Sequence, residues 1–331
     1  MIPENGYTGG ETVMKKLLAL LLALAVILPC AALFAPAAAK ADSLYIIPGS
    51  DTRRLTWDEL EKYQYDTLMF AFNEILARHG YRFETGSRCY NWFTQMEWYH
   101  PNMNESSKNH SPTYSAMSQL ERDNFDLIKA VRRDMKARGT TNPKGKGMPT
   151  PPSRNLDTPA GFVVITLKAG QKFPVMSAPY ANAYRAANGK ASVSSNGRVY
   201  AMGWEGNWLL VMYETNNGQC RFGYIDGSKI KGGVPELGTL SSARISCSTV
   251  TAVGVTDDIA KTGKPLMTLP AGTTVTYLTT MYNSGAWDYI ETTIDGKVAR
   301  GFVPSGSLDI DEVSELDAVD AMEQMDPEGD G

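Results

Sequence analysis

The chain has 331 residues, 43% of them hydrophobic, with 32 basic and 36 acidic side chains and a net charge of −4. That length holds two or three ordinary domains, and that charge excludes a protein that binds nucleic acid by neutralising phosphates. The only histidines, His79, His100 and His110, are not paired at the i, i+4 spacing of a zinc-binding helix, so no metal site and no cofactor are expected.

The first 41 residues read as a secretory signal peptide. From Met14 the sequence runs through two lysines, an apolar stretch from Leu17 to Leu28, and small residues ending in Ala39-Lys40-Ala41, an A-x-A cleavage pattern. Gly9-Gly10-Glu11 is compatible with purine-rich codons of a ribosome-binding site, and on that reading Met14 is the expected start. The alternative is an uncleaved anchor over Leu17 to Ala35, which Pro29 interrupts. Cys30 follows that proline, the wrong neighbour for lipidation. Secretion is the expectation, with no stable membrane insertion after cleavage. Cys89, Cys220 and Cys247 then remain, an odd number that allows at most one internal disulfide, for which Cys220 and Cys247 are the preferred pair.

Residues 42–138 carry helical signals. Thr56-Trp57-Asp58-Glu59 is a capping box for a short helix. Asp66 opens a longer one with Leu68, Phe72, Ile75, Leu76 and His79 on one face, and Ser118-Gln119-Leu120-Glu121 caps another that runs to Gly139. Between them, "CYNWFTQMEWYHP" forms a short aromatic helix ended by Pro101. The stretch "EILARHGYRF" explains itself as a helix stop: Gly80 is the left-handed residue, His79 the C-cap, and Leu76 and Tyr81 the flanking apolar pair. Arg78 and His79 also suit the negative end of the helix dipole. The rival is cysteine catalysis by Cys89 with His79 or His100, but this region lacks the strand framework and the Gly- or Ala-flanked cysteine of known secreted cysteine peptidases.

Residues 139–160, rich in Pro, Gly and Thr with no apolar period, read as a linker. The period then changes to 2. Two β units are expected, 161–232 and 240–308, each with three strand signals, and with turns at Glu205-Gly206-Asn207, Asn217-Gly218, Asn283-Ser284-Gly285 and Asp295-Gly296. Trp208 to Arg221 and Trp287 to Arg300 superpose as an internal repeat, each arginine being followed closely by a glycine and an aromatic. Residues 42–308 hold 29 basic and 24 acidic side chains, a net of +5, concentrated in 158–232. Residues 309–331 have ten acidic side chains and no basic one. They lack the central glycine and twelfth-position glutamate of a calcium loop and read as a solvated tail.

"LTWDELEKY", "LARHGYRF", "CYNWFTQMEWYHPN" and "LERDNFDLIKAVR" together resemble the bacterial extracellular YARHG domain over residues 44–138, with Leu76 where the name has tyrosine. The resemblance implies a helical fold and a cell-surface or secreted setting rather than a chemistry. The β units resemble bacterial SH3-like domains, small barrels that attach secreted proteins to the cell wall. The expected fold is thus multidomain α + β: a small helical YARHG-like domain followed by two SH3-like β-barrels. The expected function is non-catalytic binding at the cell envelope, to peptidoglycan or an associated anionic polymer. The alternative is a protein-interaction module that grips a peptide with its barrels or its aromatic helix, and the third is a hydrolase with an unrecognised site. The candidate ligand contacts are Tyr180, Tyr184, Arg185, Trp204, Arg221 and Tyr224, with Tyr200 and Trp208 nearby; aromatic faces and guanidinium forks suit sugars and carboxylates. Trp208 and Trp287, each beginning a central strand, read rather as barrel core. Arg78, His79, Gly80 and Tyr81 read as structural.

Overall fold

The computed structural model describes residues 45–102, 111–150, 161–215, 218–232, 236–259, 264–283 and 285–310. The expected signal peptide, His110, Asn217, Ser284 and the tail beyond Ile310 lie outside them. The chain divides after Pro48 into two units. Of the first, only Tyr45–Pro48 is described, as bend and turn. All that follows belongs to the second.

The helical region comprises α1 (Trp57–Leu60), α2 (Tyr65–Arg78), α3 (Arg88–Phe93), α4 (Ser111–Ala116) and α5 (Gln119–Ala137). Both expected N-caps form. Thr56 accepts from the Glu59 amide, and Ser118 and Glu121 satisfy each other's backbone amides as a full capping box. One apolar face was expected on α2, yet every residue from Tyr65 to Ala77 except Asp66 is buried. The reason is that α2 is covered from two directions. Phe72 meets Phe125 of α5 edge-on at 5.7 Å, and Phe70, two residues and about 200° around the helix, meets Trp92 of α3 at 6.1 Å. The aromatic segment around α3 lies inside the fold: Trp92, Phe93, Met96 and Tyr99 are buried. That corrects the idea that it offers a gripping surface.

The start of the expected linker is also tied down. Tyr65 N–H donates to Thr141 O, Gln64 N–H to Lys146 O, and Lys146 N–H to Lys62 O at 2.7 Å. Residues 141–146 therefore extend the helical region, and residues 151–160 lie outside the described ones.

The rest is β-rich, as expected. The first half holds β1 (Val163–Ile165), β2 (Lys172–Pro174), β3 (Ser192–Ser194), β4 (Val199–Glu205), β5 (Trp208–Glu214) and β6 (Cys220–Asp226). The second holds β7 (Ile245–Ser248), β8 (Val253–Val255), β9 (Met267–Leu269), β10 (Thr274–Tyr282), β11 (Ala286–Ile294) and β12 (Lys297–Pro304). Among the described residues the strands pair as two open four-stranded antiparallel sheets, β1-β4-β5-β6 and β12-β11-β10-β7, and two ribbons, β2-β3 and β8-β9. Neither sheet closes into a barrel.

The internal repeat is visible in the strand register. β4 has a bulge between Ala201 and Gly203, and β10 has one between Tyr277 and Thr279 at the equivalent position. Met176 bridges to Tyr224 as Thr256 bridges to Phe302. A Cβ on Gly223 would meet Val175 Cγ1 at 2.4 Å and Met176 O at 2.8 Å, and one on Gly301 would meet Val255 Cγ1 at 2.6 Å and Thr256 O at 2.8 Å.

The arginines, however, do not superpose. Gly223 pairs with Val211 and Gly301 with Ile290, so Arg300 occupies the place of Phe222 rather than of Arg221. Five residues separate the paired Glu214 and Cys220, against four between Thr293 and Val298. One extra residue in the connection reverses the face on which a side chain emerges.

The central strands of each sheet are buried on both faces, while β1 leaves Val163 and Val164 exposed. Val199, Ala201, Leu209, Val211 and Ile225 enter the first half's own core with Phe173 and Val175. Cys247, Val255, Val275, Tyr277, Ile290 and Val303 enter the second half's. The opposite faces share a third core, in which Tyr200, Met202, Leu210, Met212, Phe222 and Tyr224 pack with Leu278, Met281, Tyr289 and Phe302. Phe222 meets Phe302 edge-on at 4.9 Å. Two-sided burial explains the near-continuous apolar run of β5, Trp-Leu-Leu-Val-Met-Tyr. It also explains why the Cys220–Cys247 disulfide does not form. Both are buried thiols, Cys220 on β6 in the shared core and Cys247 on β7 in the second half's own core.

Candidate functional site

The Leu76–Tyr81 turn is a complete Schellman stop. Gly80 has φ +80°, Tyr81 N–H donates to Leu76 O at 3.1 Å, and Gly80 N–H donates to Ala77 O at 3.0 Å. The side chains then tie the turn to other segments. His79 Nε2–H donates to Glu121 Oε1 at 3.0 Å, in the capping box of α5. Burial would raise the Glu121 carboxyl, but the Ser118 amide and His79 outweigh it and hold it below the usual carboxylate range. Arg78 donates to Ser50 Oγ at 3.0 Å, and Gly80 O accepts from Asn102 N–H at 2.8 Å. Cys89 is buried, with its thiol 3.6 Å from Met69 Sδ. The motif is therefore a junction of chain segments, with its polar groups spent on the fold.

A cleft of about 580 Å³ opens in the first β half, a volume suited to a small ligand or a polymer segment. Its walls are Phe173, Pro174 and Met176 from β2 and the residues after it, Trp208 from the start of β5, and Asp226 from the end of β6. Lys172, Lys229 and Lys231, all exposed, line its rim.

Local sequence sets this rim. Strand alternation turns Phe173 into the core and leaves Lys172 and Pro174 outside. Asp226 caps the 3-10 turn Gly227–Lys229, accepting at Oδ1 from Ser228 N–H at 2.9 Å, from Ser228 Oγ at 2.7 Å and from Asn207 Nδ2 at 3.2 Å. Gly227 lets that turn lie against the β4–β5 hairpin, because a Cβ would sit 2.8 Å from Asn207 O. The Gln171 amide staples the far side. It donates to Lys168 O at 2.8 Å and Lys231 O at 3.2 Å, and accepts from Lys231 N–H at 3.0 Å.

Most of the expected ligand contacts have other places. Tyr224 is 1% exposed, and its hydroxyl accepts from Arg300 at 2.8 Å. Tyr200 is buried in the shared core, and Trp204 packs on the first half's own core. Arg221 faces Asp257 across the halves at 3.6 Å, and Arg185 Nε is bound to Ala191 O at 2.8 Å. Tyr184 is half-buried, and its N–H donates to Val298 O at 2.8 Å. Tyr180 is exposed, one residue from the cleft-lining Ala181. Of the aromatic residues singled out in the sequence, Trp208 is the one that lines the cleft, and the missed residues are Phe173 and the three lysines. The signal for the lysines was the basic excess of residues 158–232, which composition located without saying that β2 and the β6 turn bring it together.

Residues 43–133 match the YARHG domain family. This segment is a YARHG domain. It covers just over a quarter of the chain and includes the helix stop described above. No curated protein matches the chain. Among solved structures, NlpC2 and NlpC1 from Trichomonas vaginalis are 17% and 18% identical, over 44% and 45% of this chain and 46% and 51% of theirs, each with a TM-score of 0.17. The chain spans about half the length of these structures, and a TM-score that low does not establish a common fold. Among the described residues no helix is long and apolar enough to cross a membrane.

Proposed function

We propose that the protein is a secreted, non-catalytic binder of the cell envelope, in which the first β half holds peptidoglycan or an associated anionic polymer. The observation that carries this is the cleft: an indole, Trp208, beside Lys172, Lys229 and Lys231. A flat aromatic face suits a sugar ring, and mobile ammonium groups suit phosphates or carboxylates spaced along a chain. The signal-peptide pattern and the extracellular setting of YARHG domains support the location. In the same reading the two β halves are SH3-like domains whose barrels are opened by packing sheet against sheet.

Co-sedimentation of the full chain with purified sacculi at low and high salt tests this. Binding is expected at low salt, weakened as the Debye length shrinks from about 10 Å at 0.1 M to about 3 Å at 1 M, and lost in the triple variant Lys172→Ser, Lys229→Ser, Lys231→Ser. Retention that ignores both salt and the triple variant would remove the cleft from the function. Release of soluble wall fragments would sink the non-catalytic part.

A further inference from the structure

We propose that the acidic segment Asp311–Gly331 of the same chain occupies the lysine-rimmed cleft when no envelope polymer is bound, as a tethered competitor. This rests on reading the cleft as an anion site.

Charge is the first argument. Residues 309–331 carry ten carboxylates and no cation, and residues 42–308 carry a net +5. The cleft's rim has three lysines, and its single carboxylate, Asp226, already accepts three hydrogen bonds at one oxygen.

The second argument is apolar. Val313, Leu316, Val319, Met322 and Met325 recur at every third position, with carboxylates between them. A tail that served only to keep the protein in solution needs no such series. The cleft offers its complement, with Phe173, Pro174, Met176 and Trp208 inside the lysines. Methionine fits irregular apolar walls well and makes favourable sulfur–aromatic contacts.

Reach is the third. Ile310 packs on the second half's core, and Asp309 N–H donates to Ser248 O at 2.9 Å, so the segment's origin is fixed. Its 21 residues extend up to about 70 Å. Exposed lysine–carboxylate pairs are individually weak. A tether, however, presents the segment at an effective concentration of order millimolar, which fills a site of about 100 µM affinity roughly ten times out of eleven.

The test compares the full chain with one stopped after Ile310, which keeps the pinned Asp309 and Ile310. Truncation is expected to raise affinity for purified sacculi about tenfold at low salt, and to make no difference at about 0.5 M salt. A peptide of residues 311–331 should compete with sacculi for the truncated chain, and its all-amide version, with every Asp and Glu changed to Asn and Gln, should not. Zero-length carbodiimide coupling of the monomeric full chain should join tail carboxylates to Lys172, Lys229 or Lys231. Equal affinity of the two chains, or coupling to lysines elsewhere, overturns the proposal. If neither chain binds sacculi while coupling falls on the three lysines, the tail contact stands and the envelope reading fails; if both bind equally, the reverse holds.

Discussion

Arg300 and Glu205, 95 residues apart and in different β halves, meet as a two-pronged ion pair, with Nη1 to Oε2 at 2.5 Å and Nη2 to Oε1 at 3.0 Å. The guanidinium is 1% exposed and also binds Glu291 and the Tyr224 hydroxyl at 2.8 Å each. Arg244 adds a second cation to Glu205 at 2.7 Å. Burial alone would raise the Glu205 carboxyl, but Arg300 and Arg244 outweigh it and hold it below the usual carboxylate range.

Arg300→Ala should therefore destabilise the protein by about 3 kcal/mol, because Glu205 then keeps only Arg244 and Glu291 loses its guanidinium beside the shared core. Urea unfolding measures it. Adding Glu205→Ala should cost less than the sum of the single changes; strict additivity would mean the pair is not coupled.

Gly80→Ala should cost about 1–2 kcal/mol, since alanine must adopt the left-handed backbone of the Schellman stop. His79→Ala loses one hydrogen bond to Glu121, about 1 kcal/mol, and should leave sacculus binding unchanged. A loss of binding with an unaltered melting temperature would give His79 a role beyond the turn.

Gly223→Ala and Gly301→Ala should behave alike, each losing at least about 1–3 kcal/mol to overpacking against a valine methyl and a carbonyl oxygen. If one is tolerated and the other is not, the two close approaches are not equivalent parts of one repeat.

Glu205, partly buried, and Asp288, buried, give opposite pH dependences. Glu205 is lowered from 4.5, so its contribution is present above that pH and is lost as pH falls through the folded value. Asp288 is raised from 3.8, first by burial, against hydroxyl donors Ser305 at 2.6 Å and Thr280 at 2.9 Å. Its ionisation opposes folding as pH rises from 3.8 through the raised value. Asp288→Asn, which keeps an acceptor oxygen, should be more stable than the parent at pH 7–8, with the gain fading towards pH 3. Melting curves across that range decide it, and a gain equal at all pH values would exclude the charge as the cause.

What the sequence made legible was local. The Leu76–Tyr81 stop and the Ser118 capping box depend on neighbours within five positions, so residue type alone announces them. Asp295 and Gly296, with φ of 49° and 72°, form the left-handed pair expected of a two-residue hairpin. Register was not legible. Arg300 faces the shared core because one hairpin connection is a residue shorter than the other, which no superposition of motifs reveals. The cleft was hidden for a similar reason: Lys172 and Lys229 are far apart in sequence, and the β2–β6 bridge at Met176 and Tyr224 brings their segments together.

The YARHG domain's contacts with the second β half carry a consequence of their own. Asn91 Nδ2 donates to Thr280 O at 3.0 Å, Thr279 Oγ1 donates to Gly86 O at 2.8 Å, and Trp92 stands edge-on to Tyr282 at 5.0 Å. A cassette cut out between these partners would expose the Trp92 indole to water and exchange these hydrogen bonds for bonds to solvent. Transplanting the domain onto another protein thus requires a host strand that offers an aromatic ring and a free carbonyl at matching positions, and that demand limits which neighbours it can acquire by recombination.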